Sequence, residues 1–300
     1  MRPARWAGAG VMPGKERNWY GMQIVLTMAL LAAGAADGVV LKPVANMFAR
    51  PSEEADVGSQ AIYGSHIGII EERAGWARVR TADEYTGWMP APAFKRLGHG
   101  ERIYASSGRV AQVASLFANL YREPSVTKHQ PLLTVPFETA LEVVQEVETA
   151  ERWLEVRLPD DRPAWLQRGD VTLDRKSMSI EEIIALSKRF LGLPYFWGGT
   201  SSFGFDCSGF TQMLCRRRGI VIPRDTSVQV KWAGAEPVER NDLDAGDLLF
   251  FGESKVTHTG MYIGGGKFIN ATTHDRPVVQ ISDLADPYWT KRFIAARRLK

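Results

Sequence analysis

A cysteine at position 207 follows a glycine-rich stretch and opens a helical pattern, in the run Phe205-Asp206-Cys207-Ser208-Gly209-Phe210. The free N–H groups and the dipole of a helix start favour negative charge, so a thiol there is expected to titrate below its usual value of about 8.5 and act as a thiolate nucleophile. Such a nucleophile needs a base. Of the five histidines, His66, His99, His129, His258 and His274, only the last two fall in the same third of the chain. Thr257 to Ile263 alternates as a strand, Gly264-Gly265-Gly266 turns, and Lys267 to Ala271 alternates again. A three-residue loop pairs Ile263 with Lys267 and His258 with position 272, so His274 projects on the diagonal from the same face as His258 and can orient its imidazole. A two-residue loop would bring Thr273 there instead, because a one-residue slip flips the face. Nucleophile at a helix start, base on a strand and polar residue beyond it are the parts of cysteine–histidine acyl transfer.

Two helices must hold these groups. Ser179-Ile180-Glu181-Glu182 is a capping box, followed by apolar residues at 180, 183, 184, 190 and 191 and ended by Gly192 and Pro194. The second helix starts at Cys207 and runs to Arg216-Arg217-Arg218-Gly219, where cations suit the dipole and the glycine suits a left-handed cap. The arginine run reads as a solvated helix end. Cys215, the only other cysteine, lies about 12 Å from Cys207 along one helix, beyond disulfide reach. Both are expected as free thiols, with Cys215 a small core hydrophobe. So few cysteines exclude a Cys-rich zinc site, and no metal or cofactor is expected.

The first half contains a repeat. Residues 45–52, Ala-Asn-Met-Phe-Ala-Arg-Pro-Ser, recur as Ala-Asn-Leu-Tyr-Arg-Glu-Pro-Ser at 118–125, and Trp76, Val79, Arg80 and Trp88 recur as Trp153, Val156, Arg157 and Trp165. Each copy reads as short strands separated by Gly, Pro and acidic turns, with a helical period only over Val110 to Leu120. Small β-barrels suit such segments, and the Pro-Ser loop and late Gly87-Trp88, replaced by Ala164-Trp165 in the second copy, resemble bacterial SH3-like domains. Matched tryptophans signal packing before binding. Asp83-Glu84-Tyr85, in a turn just before Gly87-Trp88, has the exposure that recognition uses.

Three hundred residues, 45% hydrophobic and 24% charged, can fill several cores. The net charge of +3 resides in residues 1–36, which leaves the body of the chain with equal numbers of basic and acidic residues and no electrostatic case for nucleic acid or anionic membranes. Lys15 and Arg17 precede an apolar run from Ile24 to Ala33 and then Gly34-Ala35-Ala36, which resembles a signal peptide and is too short to span a membrane. Export to the periplasm or exterior is expected. The alternative is an N-terminal extension on a cytoplasmic protein.

Tyr195-x-Trp197-Gly198-Gly199, Asp206-Cys207-Ser208-Gly209-Phe210, Pro223-Arg224-Asp225, Gly246-Asp247-Leu248 and His258-Thr259-Gly260-Met261-Tyr262-Ile263-Gly264 resemble, in order, the NlpC-type papain-like peptidases of bacterial cell walls. With two SH3-like units ahead, the whole chain resembles their three-domain members, γ-D-glutamyl-L-diamino acid endopeptidases. The resemblance implies a multidomain fold of two small SH3-like β-barrels followed by an α+β papain-like cysteine peptidase domain: a leader over 1–36, SH3-like domains over 37–100 and 101–175, and the peptidase over 176–300. It implies Cys207 as nucleophile, His258 as base and His274 as its orienting residue. Tyr195, Trp197, Asp206, Ser208, Asp225 and Thr226 would line the cleft, with Tyr195 also placed to help hold the oxyanion. Tyr85 with Glu53 or Glu54 would read a free N-terminal L-Ala. The implied partners are peptidoglycan-derived peptides of the type L-Ala-γ-D-Glu-diamino acid, handled by a monomer in wall turnover or recycling. Two other readings are a non-catalytic wall-binding protein and a papain-like amidase or acyltransferase on another substrate.

Overall fold

The computed structural model describes residues 36–98, 100–146 and 152–300. The leader lies, apart from Ala36, outside the described residues, and no helix among them is long and apolar enough to cross a membrane.

The duplication is visible in strand order. In the first copy seven antiparallel strands lie side by side as Val57–Ile62, Val44–Phe48, Thr86–Pro90, Trp76–Arg80, His66–Arg73, Gly38–Val40 and Phe94–Arg96. The second copy keeps the same order, with Leu133–Pro136 on Phe117–Leu120, then Pro163–Gln167, Trp153–Arg157, Ala140–Glu146, Val110–Val113 and Val171–Thr172. In both copies the second and third strands touch at one pair only, Phe48 with Trp88 and Tyr121 with Trp165. The aromatic packing is also repeated: Phe48 stands edge-on to Trp76, and Tyr121 to Trp153, each at 5.5 Å and 87°. The tryptophans are thus packing residues. The helical period over Val110 to Leu120 gives two strands, because Val110 to Val113 are all buried inside a sheet and a turn at 114–116 redirects the chain. Burial on both faces removes the alternation that would have marked a strand.

The last third is a mixed α/β unit. Helix α1 (Ile180–Lys188) carries the capping box, with Ser179 and Glu182 bonded reciprocally. Helix α2 (Cys207–Arg217) packs against a six-stranded antiparallel sheet ordered Ala235–Val238, Phe293–Leu299, Leu248–Gly252, Val256–Gly264, Lys267–Thr272 and Val278–Asp283. Short helices α3 (Thr226–Gln229) and α4 (Pro287–Arg292) flank it. Ile183, Phe190, Phe205, Phe210, Leu214, Phe250 and Ile269 fill the core between helices and sheet.

Both β units grip this third. Gln60 accepts from the Thr200 N–H at 3.1 Å and its carbonyl from the Thr200 hydroxyl at 3.2 Å, while the Ser202 hydroxyl donates to the Leu116 carbonyl and accepts from the Phe137 N–H. The arginines ending α2 are not solvated as a group: Arg216 pairs with buried Glu138 at 2.6 Å and Arg217 donates to Gln112, because the helix end abuts the second β unit. Gly198 marks the seam with the first unit. Its φ is +77°, and a Cβ there would lie 2.6 Å from the Val57 carbonyl oxygen. Gly198→Ala is therefore expected to lower stability by at least about 1 kcal/mol, from strain alone, read as a drop in urea midpoint. An unchanged midpoint would contradict the close packing of this seam.

Candidate active site

Asp206 caps α2 and sets where Cys207 stands. Its Oδ1 accepts from the Gly209 N–H at 2.7 Å and the Ser208 hydroxyl at 3.3 Å, and its Oδ2 from the Gly198 N–H at 3.0 Å. Arg224 closes the arrangement with a fork: Nη1 donates to Oδ1 at 3.1 Å and Nη2 to Oδ2 at 2.6 Å. The same guanidinium donates from Nη1 to the Ser208 hydroxyl at 2.7 Å and from Nε to the Ser59 hydroxyl of the first β unit at 3.1 Å. Arg224 is 3% exposed. The glycines of the sequence motif are needed here, since a Cβ on Gly209 would fall 2.1 Å from the Gly199 carbonyl oxygen. The first turn of α2 thus lies backbone to backbone on the Gly198-Gly199 loop.

The sulfur of Cys207 lies 3.7 Å from the Thr226 hydroxyl, and the Thr259 backbone favours its charged form. Thr259 is the residue after His258. The hairpin explains the placement. Gly265 and Gly266 form a two-residue turn with φ of +62° and +74°, and a bulge at Ile263 and Gly264 then shifts the ladder so that Tyr262 faces Phe268 and Met261 faces Ile269. Beyond the bulge the register is that of the three-residue loop. It sets His258 opposite position 272, with residues 270 and 274 on its two diagonals.

The imidazole meets Asn270, and this corrects the assignment of His274 as its partner. His258 Nε2 lies 2.9 Å from Asn270 Oδ1. The Asn270 amide donates its own N–H groups to the Gln280 carbonyl at 3.2 Å and the Ser282 hydroxyl at 3.1 Å, so its oxygen must face the ring. Nε2 therefore carries the hydrogen, and Nδ1 remains the free acceptor. The strand ends at Thr272, which keeps Asn270 inside the ladder and lets the chain turn away before His274. The His274 ring stacks on Tyr288 at 3.7 Å and 5°, and acts on His258 only as a neighbouring charge that disfavours its protonation. Trp289 covers the His258 ring at 4.9 Å.

Burial dominates the electrostatics. It pushes the Cys207 thiol up to about 11, helped by the Asp206 charge, while the Thr226 and Thr259 bonds and Arg224 pull the other way. Burial likewise pushes His258 down to about 4, against the Asn270 bond. The expected depressed thiol is absent first because the sulfur is buried, and then because Asp206 already caps the helix N-terminus and places a negative charge near it. Burial thus favours the uncharged form of the thiol and of the imidazole alike.

The remaining sequence candidates divide. Tyr195 is raised by burial and then by the charges of Cys207 and Asp206. Ser208 and Thr226 belong to the contacts above. Asp225 is raised by burial and by Asp206 and Asp83, against Arg224, and Tyr85 is raised by burial and then by Asp225. Trp197 is 69% exposed. Glu53 and Glu54 are exposed in the turn before the Val57–Ile62 strand; the acid that the first β unit brings to α2 is Asp83, whose Oδ2 accepts from Gln212 at 2.8 Å. Arg224, Asn270 and Ser59 are not among the residues that the sequence singles out for the site, although Arg224 lies in a quoted motif and Asn270 on the other diagonal of the same hairpin; Asp83 lies in the turn that the sequence marks for recognition.

A model of the NlpC/P60 family matches residues 192–298, and a model described as a bacterial dipeptidyl-peptidase Sh3 domain matches residues 47–94. The chain is 35% identical over 258 residues to a gamma-D-glutamyl-L-lysine dipeptidyl-peptidase of Bacillus cereus, covering 80% of this chain and 74% of that protein. It is 29% identical over 260 residues to a protein of the same name from Bacillus subtilis, covering 81% of each. A crystal structure of an NlpC/P60 family protein from Bacillus cereus superposes with a TM-score of 0.76 at 28% identity, covering 88% of this chain and 99% of that one.

In a Cys207→Ala variant, where no thiol couples to the ring, His258 is expected to titrate near 4 by NMR. A value at or above 6.5 would overturn the buried, neutral ring. The folded-state value lies below the unfolded one, so the unfolded chain holds the extra proton between pH 6.5 and 4. His258 thus contributes full stability above 6.5 and loses up to about 1.4 kcal/mol per pH unit as pH falls through that window. Replacing Asn270 by Ala removes a bond that favours the charged ring and is expected to lower the NMR value further.

Proposed function

The chain belongs to the NlpC/P60 family, and on that premise we propose that it is a cysteine endopeptidase hydrolysing the γ-D-glutamyl bond to the diamino acid of peptidoglycan stem peptides. The observation that carries this reading is a cysteine opening α2, its sulfur 3.7 Å from the Thr226 hydroxyl, in the same domain as an imidazole fixed by Asn270. The Cys207 sulfur attacks the γ-glutamyl carbonyl carbon as its proton passes to Nδ1 of His258. The C–N bond then breaks, with that proton delivered to the departing amine, and a water deprotonated by His258 hydrolyses the thioester. The Tyr195 hydroxyl and the N–H groups at the start of α2 are the donors for the oxygen that becomes negative. Asn270 keeps the ring in the tautomer this route needs.

The substrate's end is read by the first β unit. Tyr85, Asp83 and Asp225 are coupled electrostatically, and such a group of carboxylates and a phenol suits the ammonium of a free N-terminal L-Ala. That selection favours short released peptides over intact wall, so turnover or recycling is the role. We read residues 101–175 as a second SH3-like domain on the strength of its repeated strand order and aromatic pair, with 37–100 as the first and 176–300 as the peptidase. The chain is read as acting as a monomer. The leader pattern supports export.

Incubation with L-Ala-γ-D-Glu-diaminopimelate should release the L-Ala-γ-D-Glu dipeptide, and Cys207→Ala should abolish release while circular dichroism and melting stay those of the native fold. N-acetylating the substrate's alanine is expected to lower kcat/KM by at least about tenfold, the worth of a charged hydrogen bond. A native-like protein that alkylates at Cys207 and leaves the peptide intact would favour the amidase or acyltransferase reading.

A further inference from the structure

Arg224 takes no part in the reaction scheme, yet it makes four hydrogen bonds beneath it. Three of them run to Asp206 and Ser208 at the start of α2, and the fourth runs to Ser59, in the Val57–Ile62 strand of the first β unit. Ser59 is 2% exposed, so its hydroxyl has no water to replace that bond. A second tie reaches the same helix: Gln212, two turns along α2, donates one amide hydrogen to Asp83 of the first unit at 2.8 Å and the other to the Ile222 carbonyl at 2.9 Å.

We infer that Arg224 is a positioning residue that couples the seating of the first β unit, through Ser59, to the placement and reactivity of Cys207. The inference rests on the peptidase reading for its kinetic consequence but not for its chemical one. The guanidinium plane can satisfy Ser59, Ser208 and both Asp206 oxygens together only in one orientation, because its donors lie in a fixed fork. If the first unit shifts, Nε is left buried without a partner, at a cost comparable to a full hydrogen bond, and the fork relaxes to recover it. The Asp206 carboxylate moves with the fork. Because that carboxylate caps α2, the peptide carrying Cys207 turns relative to Thr226 and Thr259. The charged groups bearing on the sulfur are Asp206 and Arg224, with Tyr195 coupled to it and His258 the residue before Thr259. Withdrawing Arg224 from this set leaves the negative member unopposed. The first β unit is then more than a wall of the cleft: its correct seating is a condition for the nucleophile to work, even toward a reagent that occupies no peptide subsite.

The test uses the full chain with Ser59→Ala, Ser59→Thr and Arg224→Lys. Two readouts are taken: kcat and KM on L-Ala-γ-D-Glu-diaminopimelate, and the rate of Cys207 alkylation by iodoacetamide across pH. Ser59→Ala should lower kcat by at least about tenfold with KM within twofold, the low end for a hydrogen bond to a charged group, and should move the alkylation midpoint to higher pH. Ser59→Thr, which keeps the hydroxyl, should restore both. Arg224→Lys, which keeps the charge and loses the fork, should show the larger loss of kcat in the same direction. Should Arg224→Lys fail to fold, the Ser59 pair decides alone. A Ser59→Ala protein that melts lower but keeps native kcat and a native alkylation profile would overturn the coupling, as would an effect confined to KM. If the wild-type chain leaves the peptide uncut, the peptidase reading fails, while the alkylation profiles still decide the coupling.

Discussion

A guanidinium and a carboxylate, both buried, are fixed against each other beneath the nucleophile, and the site is built outward from them. Taking two charges out of water costs several kcal/mol per ion, and the attraction offsets it only where the remaining donors and acceptors are satisfied. Asp206 and Arg224 meet that condition closely: the carboxylate accepts from two backbone N–H groups, a hydroxyl and both ends of the fork, and the guanidinium also donates to Ser208 and, from Nε, to the neighbouring β unit. Removing either partner would leave an uncompensated buried charge. Gly209 follows from the same demand, since only bare backbone lets the helix start come close enough to the Gly198-Gly199 loop to share one carboxylate.

Burial that fixes the pair also decides the state of the reacting groups. The sulfur is buried and the imidazole half-buried under Trp289, so each alone prefers its uncharged form. The helix dipole, which would have favoured a thiolate, is already engaged by Asp206. What remains is a site in which separating charge is unfavourable for either group singly and feasible for both in concert. Exclusion of water also strengthens each donor that faces a developing negative oxygen.

Much of this was legible from residues alone where the signal is local. The capping box at Ser179, the helix opening at Cys207, the hairpin at Gly264 to Gly266 and the repeated tryptophans each rest on short-range chemistry, and the structure keeps them. Contacts formed only by tertiary packing were not legible. Choosing between Asn270 and His274 required knowing that the strand stops at Thr272, and register alone leaves both diagonals open. The arginines after Cys215 look like a wet helix end until the second β unit brings Glu138 and Gln112 to them. Val110 to Val113 carries no alternation because neither face is wet, so its period misleads. The depressed thiol was inferred from one field, that of the helix, and the structure adds a nearer one of opposite effect.

Helix α2 is clasped at its start by Ser59 and Asp83 from the first β unit, acting through Arg224 and Gln212, and at its end by Glu138 and Gln112 from the second. Modular descriptions of such chains suppose that a catalytic segment can be excised and grafted behind other binding segments. Here the two accessory segments are braces on a single rod, so lineages that shed or exchanged one of them would have had to rebuild polar partners for that end of the rod. Recombination in this architecture is accordingly constrained by buried donors and acceptors at the joints more than by the length of the linkers.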